Sequence, residues 1–60
     1  MPAYRLYWLN KDNHIMRADT VMAASDDEVR LVAQARLGTA PAIEIWCGRR
    51  CVDRVPAQQP

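Results

Sequence analysis

The sequence predicts an α+β domain of order β-β-α-β-β, a small antiparallel sheet packed on one helix. Three observations carry this reading. Two strand-like segments separated by a polar turn open the chain, a capped helical run stands in the middle, and two more short strands around a Gly turn close it.

Tyr4 to Leu9 is aromatic and aliphatic with Arg5 interposed, Asn10 to Asn13 is a turn cluster, and His14 to Val21 is a second strand. Asn13 is the non-Gly residue best suited to the left-handed position that closes a three-residue hairpin loop. With Lys11, Asp12 and Asn13 as that loop, Leu9 faces Ile15, Trp8 faces Met16, Tyr7 faces Arg17, Leu6 faces Ala18 and Arg5 faces Asp19. Alternation then puts Tyr4, Leu6, Trp8, Met16 and Ala18 on the core face. Arg5, Tyr7, Leu9, Ile15, Arg17 and Asp19 fall on the other, where an Arg5–Asp19 ion pair and a Tyr7–Arg17 cation-π contact are expected.

Ser25-Asp26-Asp27-Glu28 has the form of a capping box, and its acids sit at the positive end of the helix dipole. Gly38 stands where a left-handed C-cap belongs, and Pro41 prevents continuation. Val29, Val32, Ala33 and Leu37 form an apolar stripe that Leu31 and Ala35 widen. Arg36, in the last turn, is expected to bond free carbonyls and snorkel.

Ala42 to Cys47 and Cys51 to Val55 read as the third and fourth strands, with Gly48-Arg49 or Gly48-Arg49-Arg50 as the turn. A two-residue loop pairs Cys47 with Arg50 and Trp46 with Cys51, placing the thiols on opposite faces. A three-residue loop opposes Cys47 to Cys51 and aligns Glu44 with Arg54. Residues 1–56 are expected to form a single domain and 57–60 a disordered tail.

Half the residues are apolar and a quarter charged, the composition of a folded globular protein. Sixty residues bury only about 60% of their unfolded surface, and the hydrophobic gain roughly matches the cost of ordering the chain. Such a chain profits from a staple, a metal or a second copy of itself. The net charge of +1 supplies no long-range field for nucleic acid. Met1-Pro2-Ala3-Tyr4-Arg5 is not a basic region leading into an apolar stretch, and no uncharged run approaches a membrane span. A cytoplasmic setting is expected, and with it thiols rather than a disulfide.

One Ser, one His and two Gly cannot assemble a nucleophile elbow or a phosphate-cradling loop. Two Cys and one His fall short of a four-ligand metal site. No catalytic residue, cofactor or metal is therefore predicted, and His14 reads as a surface residue beside the first turn. Asp26, Asp27 and Glu28 are explained by capping.

The two hairpins resemble a group of short uncharacterised alphaproteobacterial proteins. In these a Tyr-Arg-Leu-Tyr-aromatic-Leu strand leads through an acidic turn to His-Ile, and a later strand ends in Glu-aliphatic-Trp-x-Gly-x-Arg. The matching residues are Tyr4 to Leu9, Asp12, His14-Ile15, Glu44-Ile45-Trp46, Gly48 and Arg50. Asn13 replaces the usual turn Gly, and Cys47 and Cys51 stand at positions not generally Cys, so the resemblance implies no thiol function.

A single helix covers only one sheet face, so the other is expected to serve as a contact surface. This points to a non-enzymatic interaction module that homodimerises through a sheet face or edge, with Tyr7, Leu9 and Ile15 as the contact residues and a protein partner as the other occupant. A nucleic-acid-binding or regulatory protein using Tyr7, Arg5, Arg17, Arg49 and Arg50 is the alternative, with exposed rings as stacking platforms. A thiol redox sensor built on the pair Cys47 and Cys51 is the third reading.

Overall fold

The computed structural model describes residues 2–56; Met1 and the predicted tail lie outside the described residues. Strands β1 (Ala3–Leu9) and β2 (Ile15–Met22) form the first hairpin, helix α1 (Asp26–Arg36) follows, and β3 (Ala42–Cys47) and β4 (Arg50–Val55) form the second hairpin. All neighbours are antiparallel, in the order β2-β1-β3-β4. The first strand thus pairs with strands on both sides, and the two central strands supply most of the core.

The core is Tyr4, Leu6 and Trp8 from β1, Ile43 and Ile45 from β3, Val55 from β4, Val29 and Ala33 from α1, and Ala23. On β1 and β3 these positions alternate, as a sheet covered on one face requires. The helix packs over β3 and β4. Its two ends are tied to β1: the Tyr4 hydroxyl donates to Asp26 Oδ1 at 2.8 Å, and Trp8 Nε1 donates to the Arg36 carbonyl at 3.1 Å. The Arg36 carbonyl belongs to the last turn, whose carbonyls have no partner within the helix.

The helix termini follow the expected chemistry with two differences. Ser25 Oγ accepts from the Glu28 amide at 3.2 Å, but the return bond from the Ser25 amide to the Glu28 side chain is not formed. Gly38 takes the left-handed conformation, φ 57°. The buried stripe is narrow: Val29 and Ala33 are fully buried, whereas Leu31, expected to widen it, is 66% exposed, and Ala35 is also exposed. Arg36 reaches Asp19 of β2 at 3.1 Å rather than the helix carbonyls.

The first hairpin corrects the predicted register. Its loop is as expected: the Asn10 amide donates to the His14 carbonyl, Asn13 has φ 65°, and Asn10 Oδ1 accepts from the Asp12 and His14 amides. Leu9 also pairs with Ile15. Beyond that point a β-bulge at Met16 inserts one residue, so Trp8 pairs with Arg17, Tyr7 with Ala18, Leu6 with Asp19 and Arg5 with Thr20. A single extra residue moves every later side chain to the opposite face. Met16 and Ala18, expected in the core, are exposed, and Arg17 and Asp19 turn to the helix side.

The second hairpin carries a matching irregularity. Its turn is the two-residue Gly48-Arg49, with positive φ at Gly48 and not at Arg49, the pattern of a II′ turn. Cys47 pairs with Arg50 and Trp46 with Cys51. A shift at Val52 then pairs Ile45 with Asp53 and Glu44 with Arg54. The Glu44–Arg54 alignment expected only of a three-residue loop is thus reached by a two-residue loop plus a bulge.

Deleting Met16 removes the extra residue while leaving the pairs from Arg17 onward in place. The expected outcome is a thermal midpoint, followed by circular dichroism, close to that of the parent chain. Leu6→Ala, which empties part of the core, is expected to cost about 2–5 kcal/mol.

Candidate functional site

With α1 on one side of the sheet, the other side has no second layer among the described residues. β1 places Arg5, Tyr7 and Leu9 there, β3 places Ala42, Glu44 and Trp46, and β4 places Cys51 and Arg54. The alternation Ile43-Glu44-Ile45-Trp46 sends both isoleucines into the core and Glu44 and Trp46 out. Between these side chains lies a shallow hollow of ≈ 600 Å³ lined by Arg5, Tyr7, Ile15, Glu44, Trp46 and Gly48.

The hollow has aromatic walls with charges of both signs. Tyr7 and Trp46 are half-buried, and Ile15 is 60% exposed. The Arg5 guanidinium lies 6.0 Å from the Tyr7 ring centre, a distant cation-π geometry, and its NH1 is 3.4 Å from Thr20 Oγ1. Glu44 accepts from Trp46 Nε1 at 3.2 Å and stands 3.9 Å from Arg54. Arg54 also donates to Asn13 Oδ1 at 2.8 Å, so it reaches from the far edge strand to the β1–β2 turn. That reach crosses the end of the face where Leu9 and Ala42 pair.

Of the predicted contact residues, Tyr7 and Ile15 lie on this face. Leu9 does not remain available: it is 2% exposed, beside Ala42 and beneath the reach of Arg54. Arg17 is carried to the other face by the Met16 bulge, where its guanidinium lies 4.7 Å from the Trp8 ring centre, in place of the expected contact with Tyr7. Arg49 is exposed at the tip of the β3–β4 turn, and Arg50 is held by Asp26 through two bonds of 3.1 and 3.3 Å. Trp46 and Glu44 complete the face, and the alternation in β3 is the signal that identifies them.

Cys47 and Cys51 are free thiols. Their cross-strand partners are Arg50 and Trp46, so the two side chains point to opposite faces, with Cys47 packed against the core and Cys51 exposed on the open face. No group of three or more His, Cys, Asp or Glu side chains is placed to hold a metal ion among the described residues. No helix of the described residues is long and apolar enough to cross a membrane.

The shifted titrations lie on the helix side. The Arg50 guanidinium, with the Tyr4 hydroxyl second, holds the Asp26 carboxyl below its ordinary range, and the same bond raises the Tyr4 hydroxyl. Asp53 is lowered by the Arg54 amide and by Arg30, whose Nε donates to it at 2.7 Å. In reciprocal fashion Arg50 and Arg30 are raised. These groups are already paired within the fold, so they read as ties between helix and sheet rather than as a reactive centre.

No family model, curated protein or solved structure matches this chain.

Because the folded carboxyls of Asp26 and Asp53 titrate below their unfolded value of about 3.9, their contribution is fully present above that value and lost as pH falls through the lowered one. Urea midpoints should therefore hold steady from about pH 7 to 5 and fall below about pH 4. Asp26→Asn with Asp53→Asn should be less stable at neutral pH, with a flatter acid limb. For the thiols, mild oxidation is expected to leave the monomer free of an internal bridge, and mass spectrometry after iodoacetamide should find Cys51 labelled faster than Cys47.

Proposed function

We propose that the chain is a non-enzymatic interaction module, working in the cytoplasm, that pairs with a second copy of itself through the open sheet face. The observation that carries this reading is the uncovered face itself, with Tyr7, Trp46 and Ile15 around a hollow beside Arg5, Glu44 and Arg54. A two-fold axis brings the same patch of both copies together, so charges on such a patch find partners across it only where both signs are present. Arg5 and Arg54 with Glu44 meet that condition: a rotated copy can set a cation of one chain against the carboxylate of the other.

The size of the face sets the strength. Four strands about 4.8 Å apart and about 23 Å long cover only some ~400 Å², below the ~800 Å² per partner of a standard interface. The dimer is accordingly a weak one, with dissociation in about the micromolar range or above. Aromatic residues at the centre of such a patch carry most of the binding energy, which assigns Trp46 and Tyr7 as the anchors.

Nucleic-acid binding finds less support in the fold. Arg50 is committed to Asp26, Arg17 lies on the opposite face from Tyr7, and Glu44 stands beside the open rings, where it would repel a phosphate backbone. A thiol pair is likewise less well supported, since Cys47 and Cys51 face apart.

Light scattering across a dilution series in reductant should show mass rising from 6.8 kDa toward twice that value as concentration increases. Trp46→Glu and Ile15→Lys should shift the curve to monomer by tenfold or more in dissociation constant, with unchanged circular dichroism, and Arg49→Ala should leave it in place. A monomer at all concentrations up to about 1 mM would overturn the reading.

A further inference from the structure

The helix side of the sheet has a second hollow, ≈ 650 Å³, between the β1–β2 turn and the segment after α1. It exists because α1 packs over β3 and β4 and ends at Arg36, leaving the tip of the first hairpin uncovered. Trp8 forms the floor, Leu37 and Pro41 an apolar wall, and Lys11, Arg17 and Arg36 supply the charge. Against these three cations the lining holds one acid, Asp12. Asp19 offsets Arg36, so Lys11 and Arg17 against Asp12 leave a local excess of one positive charge, equal to the net charge of the whole chain.

Arg17 is the distinctive part. The bulge at Met16 turns it to this side, where it lies 4.7 Å from the centre of the Trp8 ring. Trp8 is 5% exposed, so an arriving molecule meets the guanidinium rather than the indole. Arg36 is paired with Asp19, but among the described residues neither Arg17 nor Lys11 has a carboxylate partner. A guanidinium held over the Trp8 ring has lost part of its rotamer freedom before binding, and its planar fork of N–H donors matches a carboxylate or phosphate.

We infer that this hollow is a binding site for a small aromatic anion, a flat ring carrying a carboxylate or a phosphate. The ring lies on the outer face of Arg17 against Leu37 and Pro41, and the anionic group is taken by Lys11 and the guanidinium edge. The volume falls within the usual range for small-molecule sites. The site is on the opposite side of the sheet from the proposed dimer face, so the two stand or fall separately.

The full chain, labelled with 15N, would be titrated with phenyl phosphate and with benzoate. Benzyl alcohol serves as a ring without charge and inorganic phosphate as charge without a ring. At least one aromatic anion is expected to shift the Trp8 indole N–H and the amides of Lys11, Arg17 and Thr39 saturably, with dissociation at about 1 mM or tighter, and both controls about tenfold more weakly. The tighter of the two anions distinguishes a phosphate from a carboxylate ligand. Arg17→Gln should weaken binding about fivefold or more, and Lys11→Gln, at an exposed turn, tests the same charge without touching the packing on Trp8. No saturable shift by about 20 mM, an equal response to benzyl alcohol, indifference to both substitutions, or shifts confined to the Trp46 indole would each overturn the inference.

Discussion

The arrangement of this molecule depends on one strand holding both ends of one helix. Tyr4 and Trp8 lie on the same face of β1, four residues and about 13 Å apart. Asp26 and Arg36, which accept their hydrogen bonds, are separated by ten helical steps, about 15 Å. The close match means that α1 runs alongside β1 in the same direction, with its first turn at the start of the strand and its last turn at the end. Burial of the apolar core, with Leu6, Ile43, Ile45 and Val29 fully enclosed, supplies the driving force, but apolar contact is non-directional and would tolerate the helix at other angles. The two polar atoms, carried on rings that are themselves part of the core, select one.

Both hairpins then use a bulge to the same end. Were β2 to pair without a bulge, with Met16 opposite Trp8, Asp19 would face away from the helix; with Met16 bulged out, Asp19 opposes Leu6 and meets Arg36. Without the shift at Val52, Asp53 would oppose Glu44 on the open face; with it, Asp53 opposes Ile45 and meets Arg30. Each edge strand thereby presents one carboxylate to one helix arginine. These pairs are partly exposed and individually weak, yet they make the register consequential, since a slip of one residue loses the pair and strands the charges. Bulges at edge strands also twist the edges and discourage indefinite pairing with other chains.

The two sides of the sheet end up with different chemistry. The open face interleaves charges of both signs among Tyr7, Trp46 and Ile15, which suits a copy of itself. The helix side, closed over most of its area, leaves a basic hollow at the tip of the first hairpin. Arg17 belongs to the second side only because of the Met16 bulge, so the same local irregularity that pairs Asp19 also removes a cation from the open face and builds the basic hollow. The chain is too small to separate its architecture from its surfaces: moving one residue of register rewrites both.

The features legible along the chain are local ones. The capped start of the helix at Ser25, the left-handed Gly38, the Lys11-Asp12-Asn13 loop and the alternation in β1 and β3 are each set by residues within a few positions of one another, through backbone preference and side-chain period. Tyr4, Leu6 and Trp8 were legible as core, and Tyr7 and Ile15 as open-face residues, for that reason. The strand order, the two bulges, the burial of Leu9 and the company kept by Arg17 and Arg50 come from contacts across the fold. A bulge has no strong signature of its own here, because Met16 and Val52 are ordinary strand residues. What each bulge brings together, a carboxylate on an edge strand and an arginine on a helix far away in sequence, lies across the fold, and neighbouring residues carry no sign of it.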